Sequence, residues 1–156
     1  MRLDSFHTFA VSALAAAPDV QSAQPWDRGA EHLRGVHVTL VTGAQFWIGL
    51  TSAAAPGDKW VGEETPVEGD RPAEVPFPEL FDSSKKASLA RTSCYFAAAV
   101  INSGNAQIAS AYAFSSGRGF GVVFHDEAKG FARFHHNGRA GQGLGGQPFN
   151  SLQEAV

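Results

Sequence analysis

The first apolar residues of the chain fall at helical spacing. Leu3, Phe6, Ala10, Ala13 and Ala17 share one face, Asp4 or Ser5 can cap the first turn, and Pro18 stops the run. An amphipathic helix is predicted here rather than a secretory signal, because Asp4 and His7 interrupt the charge pattern and Ser12 dilutes a short apolar stretch. A polar loop is expected over Asp19–Gly29, after which the period changes from helical to alternating. Val36, Val38 and Leu40 before a Gly43–Ala44 break, and Phe46, Ile48 and Leu50 after it, predict a half-buried β-hairpin with Trp47 on its less buried face. Lys59–Gly62 is a candidate third strand.

Residues 83–103 read as a second helix, opened by Asp82 or Ser83 and closed at Asn102–Gly104, where Gly104 is suited to the left-handed conformation. Two alternatives stay open: a helix that starts only at Ser93, and a strand over the apolar run from Cys94 to Ile101. Three antiparallel strands follow in AQIASAYAF, GFGVVFH and GFARFHH. If DEAKG is a five-residue loop, Phe124 faces Ala132, Val122 faces Phe134 and Phe120 faces His136, which gathers the apolar residues on one face. The expected fold is α+β, a single domain over residues 1–156, with an antiparallel sheet of five to six strands and two packed helices.

Composition narrows the function classes. At 156 residues with 44% hydrophobic residues, the chain can bury a full core. A formal charge of −3 gives no overall attraction to nucleic acid, and no apolar run reaches the ~20 residues of a membrane span. One cysteine excludes an internal disulfide and suits a reducing, cytoplasmic setting. The segment 53–82 stands apart: it holds eight acidic residues against Lys59 and Arg71, about −6, and five of the eight prolines. Such a stretch is a functional loop or a linker. Its apolar residues Trp60, Phe77, Leu80 and Phe81 are candidate contacts for a protein partner or for self-association; alternatively Phe77, Leu80 and Phe81 anchor the loop onto the chain's own core.

Candidate chemistry centres on Cys94, in SCYFAAAV. Ser93, Cys94 and Tyr95 resemble the start of the catalytic helix in papain-like cysteine peptidases. That resemblance covers eight residues and lacks the preceding Cys and the upstream Gln, whose place Ser88 takes. It implies a thiolate favoured by a helix start, with a histidine base. In the register above, His136 lies on the helix-covered face and is the better base, His125 points away, and Asn137 or Asn150 is the candidate orienting group. The opposing expectation is that Cys94 is core, since seven apolar or aromatic residues follow it. No metal site is expected: none of the six histidines has i, i+4 spacing, and His135 and His136 should face opposite sides of a strand. Gly141, Gly143 and Gly146 satisfy G-x-G-x-x-G, but no helix follows before Val156, so residues 138–156 read as a glycine-rich tail and no cofactor is predicted. FWIGLTS resembles a phrase of C-type lectin domains without their cysteines or calcium set. Two functions follow: a small non-enzymatic interaction module binding a protein partner, or a thiol-dependent Cys–His hydrolase or amide-transforming enzyme.

Overall fold

A computed structural model describes residues 1–27 and 34–139. In chain order the elements are α1 (Leu3–Ala15), β1 (Val20–Asp27), β2 (Arg34–Leu40), β3 (Gln45–Ala53), α2 (Leu89–Ile101), β4 (Ile108–Ala113), β5 (Gly119–Phe124) and β6 (Lys129–Gly138). The strands form one antiparallel sheet in the order β1-β2-β3-β6-β5-β4. A helix followed by a three-stranded meander thus occurs twice, and the two meanders join where β3 pairs with β6. α1 packs on β1 and β2, and α2 on β4 and β5. The expected α+β fold with two helices and a six-stranded antiparallel sheet is therefore present.

The core lies between helices and sheet and is built by the alternation that the sequence shows. Val36, Val38, Leu40, Phe46, Ile48 and Leu50 are all buried, paired Val36 to Ile48 and Val38 to Phe46. Phe96 of α2 stands at the centre, its ring edge-on to Phe46, Phe120 and Phe134 at 6.1, 6.3 and 6.0 Å. Burying such a side chain contributes about 1.5–3 kcal/mol, and its edge-to-face contacts add to that. Phe6 of α1 meets Phe124 at 5.8 Å and covers Gly130, where a Cβ would lie 2.6 Å from its ring.

Several sequence expectations are corrected. Asp19–Gly29 is not simply a polar loop: from Val20 to Asp27 it is edge strand β1, paired Ala23 to Val38 and Pro25 to Val36. An outer strand tolerates Pro25 and needs little apolar alternation of its own. Lys59–Gly62 is not a strand; Trp60 sits in the left-handed region at φ 58°. α2 begins at Leu89, not at Asp82, Ser83 or Ser93, and Ser88 caps it by accepting the Arg91 N–H at 3.1 Å. The preceding residues are diverted into a turn, in which the Asp82 carboxylate accepts the N–H groups of Ser84 and Lys86 at 2.8 and 3.0 Å. Gly104, at φ 75°, takes the left-handed role expected of it.

The β5–β6 pairing is displaced by four residues. Phe120 faces Ala132 and Val122 faces Gly130, because the loop is tighter than five residues: the Phe124 N–H donates to the Ala128 carbonyl at 3.0 Å, with Glu127 left-handed at φ 70°. The inward set of β5 is unchanged, but the neighbours differ.

Candidate functional site

Residues 54–88 form no helix or strand, yet they are pinned along their length as a strap over the helical side of the molecule. At the start, Asp58 accepts two N–H bonds from the Arg2 guanidinium at 3.0 and 3.2 Å and a third from the Trp60 backbone at 2.9 Å. The Arg2 contact, foremost, holds the Asp58 carboxyl below the usual carboxylate range. Glu64 then accepts from the Arg2 N–H and the Ser5 hydroxyl. The cap of α1 is thus supplied by Glu64, not by Asp4 or Ser5 as the local sequence suggests; neither residue makes a side-chain cap there.

Farther on, the Gly69 N–H donates to the Ala106 carbonyl at 2.9 Å, and the Asp70 carbonyl lies 2.9 Å from Nε2 of His125, whose ring covers Gly69. Val75 and Asn102 exchange two hydrogen bonds, at 2.9 and 2.7 Å, at the end of α2. Phe77 lies 4.8 Å from the Tyr95 ring, and Arg91 reaches the Phe81 carbonyl at 3.3 Å. The strap therefore runs antiparallel to α2 and alongside it.

Of the four expected contact residues, two remain open to a partner. Trp60 and Phe77 are 45% and 36% exposed, while Leu80 is 3% exposed and belongs to the chain's own core, with Phe81 packed against that core. Leu80 is an anchor, and its burial removes it from the contact surface. Val61, Val67 and Val75 join Trp60 and Phe77, so five of the seven large exposed hydrophobic residues among the described residues lie on the strap. These valines were legible only as apolar positions within an acidic run.

The thiol reading meets a different geometry. Cys94 is exposed, not core, at the sixth position of α2, past the first turn where a helix end favours a thiolate. Ser93 beside it is fully buried and structural: its hydroxyl accepts the Gly119 N–H at 3.0 Å and lies 3.0 Å from the Gly117 carbonyl. His136 pairs with Trp47, and a bulge at the Trp47/Ile48 step puts both His135 and His136 on the sheet face away from the helices. The expected placement of His136 on the helix-covered face, and of the two histidines on opposite faces, is thereby corrected. The sheet separates Cys94 from His136. His125 lies beyond the far end of β5 from Ser93, about 20 Å along a strand of that length. Asn137 is exposed at the end of β6, opposite Phe46. The structure does not bring these four residues together. Among the described residues, no three His, Cys, Asp or Glu side chains converge as a metal site would require.

The outward sheet face has its own order, which sequence reasoning missed. Rings lie over three strand glycines: Trp26 over Gly35, His135 over Gly49 and Tyr112 over Gly121. Arg133 sits 5.4 Å from the centroids of both Phe114 and Phe131, and Trp47 stacks on His37 at 4.5 Å. Each ring fills the space a side chain would take, restoring packing where the strand has none. The signal was available in the glycines at 35, 49 and 121, which alternate with core residues. The rest of the glycine-rich stretch, from residue 140, lies outside the described residues. Among known protein families, curated proteins and solved structures, none matches this chain.

Proposed function

We propose that this chain is a non-enzymatic interaction module that binds a protein partner through its acidic, proline-framed strap. The observation that carries the reading is the concentration of exposed apolar residues there: Trp60, Val61, Val67, Val75 and Phe77 alternate with Glu63, Glu68, Asp70 and Glu74 along one extended segment. Exposed apolar side chains set among charges mark a contact surface when they gather on one element. The strap is already held in place by Arg2, His125 and Asn102, so a partner would not bear the cost of ordering it. The chemistry suits a partner surface with apolar pockets bordered by Lys and Arg. An enzyme using Cys94 and His136 has less support, because the sheet stands between them.

The test compares two surface variants of the full chain by affinity capture, followed by direct binding of whatever protein is retained. Trp60→Ala with Val67→Ser alters the strap, and Val41→Ser alters an exposed residue elsewhere. The strap variant should weaken partner binding at least ~tenfold while the second leaves it intact. The reverse pattern would remove the strap as the interface.

A further inference from the structure

The two outer strands of the sheet are built differently, and the difference is independent of the strap. β1 is guarded as edge strands usually are: Pro25 removes a donor, Asp27 adds a charge, and the register shifts between Val20 and Ser22. β4 has none of this along Ser110–Ala113. Its own register shift lies nearer its start, between Ile108 and Ser110, and the whole run from Gln107 to Gly117 carries no charge and no proline.

Which backbone groups of β4 stand open follows from its pairing. The Phe114 N–H donates to the Gly119 carbonyl at 2.9 Å and Tyr112 lies opposite Gly121, so the backbone groups of these two residues face β5. By alternation the N–H and C=O groups of Ala111 and Ala113 point away from the sheet, where no described strand pairs with them. Two donors and two acceptors thus stand in a row along an uncharged edge. Between them Tyr112 is 43% exposed, one of two large exposed hydrophobic residues outside the strap among the described residues. The side chains beside it, Ser110, Ala111 and Ala113, are small enough for another backbone to approach.

We infer that the β4 edge pairs with the β4 edge of a second copy of this chain, antiparallel and centred on Tyr112. The two-fold axis then passes between the two Tyr112 residues, a non-hydrogen-bonded pair, and each Ala111 exchanges both of its bonds with Ala113 of the other copy. A second copy is the occupant that this edge fits. Its open groups lie one residue to either side of Tyr112, the arrangement that pairs with its own reverse, and no like charges are set opposite each other. Two exposed tyrosines cover one another, and two sheets become one. So short a seam buries less than the ~1,200 Å² of a standard interface, so the dimer is weak and forms at high chain concentration.

Sedimentation of the full-length chain up to millimolar concentration should show its mass rising toward that of two chains. Over the same range amide exchange at Ala111 and Ala113 should slow at least ~tenfold, while Tyr112, already bonded to β5, stays unchanged. With Cys94→Ala removing the native thiol, Tyr112→Cys should cross-link on oxidation, its two Cα atoms lying ~4.5 Å apart. Ser110→Cys should not, because its two copies are offset by four residues, or ~13 Å. Ala111→Pro should leave the chain folded and monomeric, since an edge strand tolerates proline. Should it fail to fold, Tyr112→Lys decides: by opposing two like charges it should weaken association at least ~tenfold. A chain that stays monomeric, exchange at Ala111 and Ala113 that is slow at every concentration, a dimer that leaves those amides open, or association unchanged in the folded variants would each overturn the proposal. Cross-linking through Ser110→Cys instead would overturn the Tyr112-centred register.

Discussion

Replacing Ser93 with alanine tests how α2 is fixed to the β4–β5 turn. The hydroxyl is fully buried; it accepts the Gly119 N–H at 3.0 Å and has the carbonyls of Leu89 and Gly117 at 2.8 and 3.0 Å to donate to. Alanine leaves the Gly119 N–H, itself in a buried position, without this acceptor, at a cost of about 1–3 kcal/mol. The better helix propensity of alanine offsets about 0.5 kcal/mol. The net loss should be about 0.5–2.5 kcal/mol, equivalent to a fall in Tm of about 1–10 °C for a chain of this size. Urea unfolding with an unchanged slope measures it, and faster amide exchange at Gly119 locates it. A loss below about 0.5 kcal/mol with Gly119 as protected as before would refute the reasoning, because the N–H would then have another acceptor.

Cys94, exposed on α2, should react with iodoacetamide at comparable rates in the native and denatured chain, and Cys94→Ala should change stability by less than about 0.5 kcal/mol; strong native-state protection would show the thiol to be covered. Burial pushes the Tyr95 hydroxyl up to about 12 from 10.0, so the unfolded chain loses this proton first. Stability from this group is fully present below pH 10 and falls as pH rises from 10 to 12, and Tyr95→Phe should remove that slope from urea midpoints measured across the window. Glu64→Ala should cost about 1 kcal/mol through loss of the α1 cap, with fraying seen by amide exchange at residues 3–6; unchanged exchange there would show the cap to be dispensable.

Features set by local period were legible in the sequence, and those set by distant residues were not. The β2–β3 hairpin and its inward residues follow from the alternation between Val36 and Leu50. β1 was hidden because an edge strand pairs through its backbone, and Val20–Asp27 shows little alternation. The β5–β6 register was displaced by matching apolar residues to each other, while in the fold the space over Gly130 belongs to the Phe6 ring from α1. Alternation placed His136 inward; one bulge reversed it. The apolar run after Cys94 suggested complete cover for α2, but at Cys94, and at Ala90 one turn earlier, the helix faces solvent. The strap could be recognised as acidic and irregular, and Leu80 fits the anchoring role that was one of its two readings.

The duplicated helix-plus-meander path has a kinetic consequence. Within each half, successive strands are neighbours and pair locally, whereas the β3–β6 seam brings Ser52 to Gly130 and must close a long stretch of chain. Loop-closure entropy makes such a seam late and slow to form. A nick in the exposed stretch Thr65–Val67 would leave the Glu64 cap on the first fragment and the Asn102 contact on the second. The seam then becomes an intermolecular interface, and two unlinked fragments would rebuild one sheet at a rate set by their concentration rather than by the connecting chain.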